Sequence, residues 1–228
     1  MIVRACQLQN FGDTLNVELV RLISGEVPTI VNNSFSNPDN ETIYMVVGSV
    51  LGWVDSNTEV WGSGFISTSK TITTIQTPKK VHAVRGKFTR TILLSKGVDC
   101  PEVYGDPALL MPKFYNPKLE KKYDLSIIPH HVDKVLIPDL QKQFPEAHFI
   151  DIQQDIYKFI DEVIQSKYII SSALHGLVTA DAYNIPNEWR EFSGKVLGHG
   201  FKFRDYESSK GFVNLDKLLE VCPFRKSK

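Results

Sequence analysis

Short runs of aliphatic and β-branched residues alternate along this chain with longer stretches in which apolar side chains recur every three or four positions. Residues 2–6 read as a first strand, followed by a polar turn and a stretch in which Leu15, Leu19, Leu22 and Ile23 share one helical face. Asp13 or Thr14 is the predicted N-cap of that helix, and Gly12 permits the tight turn before it. Strands are predicted at 43–47, 59–61 and 81–84, the last followed by a helix carrying Phe88, Ile92 and Leu93. The intervening stretch 32–41, rich in Asn, Ser and Pro, reads as a loop. After a Pro-, Asn- and Lys-dense stretch at 111–122 the alternation resumes: strand 125–128, helix 138–144, strand 147–150, and a helix with Ile156, Phe159, Ile160, Val163 and Ile164 on one face. Strand 168–170 then runs into a helix with Leu174, Leu177, Val178 and Ala182 at helical spacing, and a short helix at 215–221 closes the chain.

Repeated strand–helix units predict an α/β protein with parallel sheets covered on both faces. Placing the linker at 111–122 divides the chain into two α/β domains, 1–115 and 116–228. Sheets of this type bind ligands beyond the carboxyl ends of their strands, and the polar candidates cluster after predicted strands: Asn10 to Asp13, Gly62 to Gly64, Arg85, His130 with His131, and Ser171 to His175. His175 falls in the first turn of its helix, where backbone N–H groups and the helix dipole favour an anion and a histidine adds a proton donor. The competing reading is a capped helix whose histidine satisfies one hydrogen bond. Arg85, at a strand end, and Arg90 suit a two-pronged grip on phosphate or carboxylate, the competing reading for Arg90 being a solvated helix position. His130 and His131, if extended, point to opposite sides, so that one of them faces a site.

Composition narrows the classes. Lys plus Arg and Asp plus Glu both number 26 in 228 residues, so no global field attracts nucleic acid and any anion must be held locally. Three widely spaced cysteines, Cys6, Cys100 and Cys222, argue against a disulfide framework and point to a reducing compartment. The N-terminus lacks the basic start and apolar middle of a signal peptide, and the apolar run 43–54 is too short to span a bilayer, so the expected location is the cytoplasm. The GSGF turn at 62–65 matches no phosphate-binding fingerprint, there is no H-E-x-x-H, and the histidines lack metal-ligand spacing, so no metal is expected.

Six segments, NFGDTLN (10–16), VWGSGF (60–65), VRGKFTR (84–90), YGDPALLMP (104–112), IIPHHVD (127–133) and SSALHGLVTADAYNIPNEW (171–189), occur in the order of the polysaccharide pyruvyl transferase family, which the chain resembles over most of its length. The resemblance implies two Rossmann-like domains in a GT-B-like arrangement with an interdomain cleft, and phosphoenolpyruvate as donor substrate without a further cofactor. It implies transfer of pyruvate, as a cyclic ketal, onto a sugar of an exopolysaccharide or capsule or of its lipid-linked precursor. A lipid-linked acceptor would bring peripheral membrane contact with it, although no basic amphipathic helix stands out for that role. Carried onto this chain, the expectation makes His175 the general acid and Arg85 the anion clamp. Asn10, Asp13, Ser63, Gly64, His130, His131, Ser172 and Arg204 are expected to line the substrate site, and Asp205 and Tyr206 to orient these groups or pack structurally. Many members carry an arginine two residues before the histidine of the LHG motif; here that position is Ala173, which leaves Arg204, Lys202 or Arg85 to supply its contact. Two other classes fit the same architecture: a metal-independent glycosyltransferase using a nucleotide sugar, since no D-x-D occurs, and a non-catalytic carbohydrate-binding relative. Trp189 is then a candidate for stacking on sugar, with Trp53 and Trp61 read as packing residues.

Overall fold

The computed structural model describes residues 1–37, 39–69 and 74–225, so that Pro38 of the expected loop 32–41 lies outside the described residues. The contacts divide into two compact units, Met1–Leu8 with Gly12–Pro107 and Gly200–Lys228, and Gln9–Phe11 with Ala108–His199. The boundary thus falls at Pro107/Ala108, ahead of the expected 115/116, and residues 200–228 group with the first unit instead of the second.

The first unit holds five parallel strands in the order β2-β1-β3-β4-β5. These are β1 (Ile2–Arg4), β2 (Thr29–Val31), β3 (Ile43–Met45), β4 (Thr58–Trp61) and β5 (Lys80–Ala83). Helix α1 (Phe11–Ser24) starts earlier than its sequence predicts; Asp13 lies inside its first turn and accepts a hydrogen bond from the Leu8 N–H at 3.2 Å. Helix α2 (Lys87–Ser95) follows β5. The edge strand β2 escapes the sequence pattern because only three residues separate Pro28 from Asn32. Val3, Leu15, Leu19, Ile43, Met45, Val60, Trp61 and Phe65 form the buried interior, each contributing about 1.5–3 kcal/mol by leaving water. Trp61 also donates its Nε1–H to Leu218 O at 2.8 Å, as a packing residue with a satisfied polar edge.

The second unit holds four parallel strands in the order β7-β6-β8-β9: β6 (Ser126–Ile128), β7 (His148–Phe149), β8 (Ile169–Ser171) and β9 (Asn187–Trp189). Helices α3 (Ile137–Gln143), α4 (Ile156–Ile164) and α5 (Leu174–Ala182) cover it. Asp155 caps α4 by accepting from the Tyr157 and Lys158 N–H groups, both at 3.0 Å, and the helix buries Phe159, Ile160 and Val163 completely. The last two helices, α6 (Phe201–Glu207) and α7 (Leu215–Glu220), belong to the first unit.

Candidate active site

In each sheet the order of connection reverses once, between β1 and β3 and between β6 and β8, and such a switch point opens a crevice at the carboxyl ends of the strands. At the second switch point the loops after β6 and β8 lie side by side. The His130 N–H donates to Ser172 Oγ at 2.8 Å, and Ser172 Oγ donates to Asp133 Oδ2 at 2.6 Å. The other carboxylate oxygen, Oδ1, accepts from Ser193 Oγ. One fully buried carboxylate therefore ties together the segments that follow β6, β8 and β9. Asp133 closes the IIPHHVD segment without a role of its own and Ser193 lies in none of the six segments; nothing in local spacing reports that residues 60 positions apart share a hydrogen bond.

The two histidines do not diverge as an extended chain would require. His130 is the N-cap of a 3-10 turn, His131–Leu136, and its Nδ1 accepts from the Val132 N–H at 3.4 Å. The backbone turns at this point, so the rings of His130 and His131 pair at 4.2 Å between centroids, tilted by 36°. Both are half-buried.

Next to them β8 passes into α5. A Cβ on Gly176 would stand 2.3 Å from Ser171 Oγ and 3.2 Å from Ile128 Cγ2, so this helix approaches its own sheet closely enough to exclude every side chain there. Ser171 Oγ accepts from the Ala173 N–H at 3.0 Å, and the Ser172 N–H donates to Ile128 O at 3.2 Å. These bonds spend backbone donors that sequence reasoning left for an anion. His175 occupies the second position of α5, half-buried, and its carbonyl accepts from Thr179 Oγ1 at 2.7 Å. Ala173, in the N-cap position, is 3% exposed and provides no side-chain cap.

In the first unit Ser63, Gly64 and Arg85 are brought together. Ser63 Oγ donates to Gly48 O at 2.9 Å, and a Cβ on Gly64 would lie 2.6 Å from the Arg85 guanidinium carbon. Arg85, expected to clamp a ligand, is fully buried and spends its donors on the protein. Nε donates to Asp205 Oδ2 at 3.0 Å, Nη1 to Ser49 Oγ at 2.6 Å and Nη2 to Phe65 O at 2.7 Å, with Nη2 also 2.9 Å from Asp205. Asp205 in turn accepts from the Thr89 N–H and Thr89 Oγ1, both at 2.8 Å. The first turn of α2, which could receive an external anion, thus holds the chain's own carboxylate. Asn16 is a further buried connector: it exchanges two hydrogen bonds, at 3.0 and 2.9 Å, with the backbone of Val47 just beyond β3.

The other expected site residues are dispersed. Asn10 groups with the second unit and Asp13 with the first, where Arg204 sits on α6 with its side chain exposed. Trp189 is 38% exposed at the end of β9. Among the described residues no group of three His, Cys, Asp or Glu is arranged to hold a metal ion, and no helix is long and apolar enough to cross a membrane.

Residues 10–187 match the family described as polysaccharide pyruvyl transferase. Two curated relatives align over nearly the whole chain. The uncharacterized protein L143 of Acanthamoeba polyphaga mimivirus is 30% identical over 96% of this chain and 76% of its own length. The succinoglycan biosynthesis protein ExoV of Rhizobium meliloti (strain 1021) is 29% identical over 93% of this chain, which spans 65% of that relative. With a match that runs from Asn10 through the strand-end loops of both sheets to Asn187, the chain belongs to the polysaccharide pyruvyl transferase family.

Proposed function

We propose that this chain transfers pyruvate from phosphoenolpyruvate to a sugar of a surface polysaccharide or of its precursor, forming a cyclic ketal and releasing phosphate. The reading is carried by the clustering, at the switch point of the second sheet, of the His130–His131 pair, Ser172 and Asp133 next to the helix that bears His175, within a chain of this family. The similarity to a succinoglycan biosynthesis protein supports a saccharide acceptor. A GT-B-like arrangement of the two units and a cytoplasmic location belong to the same proposal.

The chemistry asks for a proton at the methylene carbon of the enol and for removal of two hydroxyl protons. Protonation makes C2 oxocarbenium-like; one sugar hydroxyl forms a C–O bond to C2, the bond to phosphate oxygen breaks, and a second hydroxyl closes the ketal. One proton ends on the methyl carbon and the other leaves with phosphate. His175, at the helix start beside the Ser172 loop, is assigned the general acid. The His130–His131 pair takes a hydroxyl proton or holds the leaving phosphate. Arg85, expected to clamp an anion, instead fixes the first unit's strand-end loops through Asp205. His175→Ala should lower phosphate release from phosphoenolpyruvate in the presence of acceptor by about two to four orders of magnitude. A folded variant with a near-normal rate would remove His175 from the mechanism.

A further inference from the structure

A cavity of about 380 Å³ lies in the second unit, walled by α3, which follows the β6 loop, and by residues 190–192, which follow β9. The two segments that meet at Asp133 also enclose this cavity: Leu136 ends the turn that begins at His131, and Phe192 precedes Ser193. Its volume lies near the lower end of small-ligand sites, room for one sugar ring or two. Phe144 and Phe192 contribute apolar rings to the lining, and Gln143, Asp139 and Glu191 contribute an amide and two carboxylates. A pyranose offers the complement, with C–H groups across one face of the ring and hydroxyls around its edge.

Charge separates the acceptor from the donor. Arg190 extends over the Phe144 ring at 5.6 Å and already pairs with Glu188, Asp139 pairs with Lys142 at 2.7 Å, and Glu191 adds a further carboxylate, so the described lining offers no uncommitted cation. Such a lining disfavours a ligand with the charge of phosphoenolpyruvate and accepts a neutral one. We propose that this cavity is a subsite for a neutral pyranose of the saccharide acceptor, walled by the segments that Asp133 ties together. The assignment rests on the pyruvyl transfer reading for the word acceptor, but not for the binding itself.

The test is a titration of the full chain, labelled with 13C at leucine methyl groups, with methyl α- and β-pyranosides of glucose, galactose and mannose, each to about 50 mM. A ligand of this size is expected to bind with a dissociation constant on the order of 1 mM. The expected result is saturable movement of the Leu136 and Leu140 methyl signals by at least one neutral pyranoside, weakened at least fivefold in Gln143→Ala and in Phe192→Ala, with no movement of these signals by phosphoenolpyruvate. Movement confined to other leucines, no movement with any sugar, unchanged affinity in both variants, or occupation by phosphoenolpyruvate would each overturn the proposal. Sugar binding here in a chain that neither binds phosphoenolpyruvate nor releases phosphate would leave the subsite standing and remove pyruvyl transfer, so the two failures are told apart.

Discussion

Burying Arg85 together with Asp205 removes two charges from water, and the structure offsets that cost by saturating both: three protein acceptors for the guanidinium, and the Thr89 amide and hydroxyl for the carboxylate. Removing one partner strands the other. Arg85→Ala should therefore destabilise the first unit by about 3–5 kcal/mol, read as a lower urea midpoint. A loss below about 1 kcal/mol would mean that the pair contributes no more than an exposed ion pair. A milder residue-scale effect comes from Asp55. Burial pushes its carboxyl up, but the Thr58 hydroxyl and the Arg4 guanidinium, with the Asn57 N–H, outweigh that and hold it below its ordinary value of 3.8. A carboxyl lowered in the folded state stabilises the fold above its ordinary value and loses that contribution as pH falls through the lowered one. The stability gap between wild type and Asp55→Asn should thus be constant from pH 7 to about 5 and shrink below about 4; a gap independent of pH would contradict it. Sequence reasoning places Arg85 and Asp205 near a site but cannot pair them, since they stand 120 positions apart and meet only in the folded chain. The same blindness hid Asp133 with Ser193, and Asn16 with Val47.

Elements with long apolar periodicity were legible. Helix α4 follows Ile156 to Ile164 as its pattern requires, because a five-residue apolar face leaves one orientation against the sheet. The three-residue edge strands β2 and β9 were not, since a run that short carries no period and is fixed by pairing with β1 and β8. The turn at His131 likewise reverses a side-chain direction that strand geometry alone would assign. Helix α5 shows packing overriding propensity. An alanine at 176 gains about 1 kcal/mol of helix propensity over glycine, yet its Cβ would meet Ser171 Oγ at 2.3 Å, and overpacking of this kind costs about 1–3 kcal/mol. Gly176→Ala should therefore be destabilising by thermal denaturation, and it should recover in part when combined with Ser171→Ala. Equal or greater stability in the single variant would mean that α5 does not press on β8 as described.

At the scale of the molecule, alternating strands and helices announced two parallel α/β sheets, and the switch points follow from their strand orders. The boundary did not follow. A Pro- and Lys-rich stretch at 111–122 looks like a linker by composition, whereas contacts join Ala108 onward to the second unit and return 200–228 to the first, where Phe201, Phe203, Tyr206 and Leu218 are buried. Composition reports solvation and not which core a later helix completes. The central claim at this scale is that the fold accepts phosphoenolpyruvate, and it is tested most directly by thermal unfolding of the purified chain with phosphoenolpyruvate beside a panel of uridine nucleotide sugars. Ligand at about 100 times its dissociation constant adds about 2.7 kcal/mol, which for a chain of this length raises Tm by about 5–11 °C. Saturable stabilisation by phosphoenolpyruvate alone is the predicted result; stabilisation by a uridine nucleotide sugar with none from phosphoenolpyruvate would contradict the assignment of the donor.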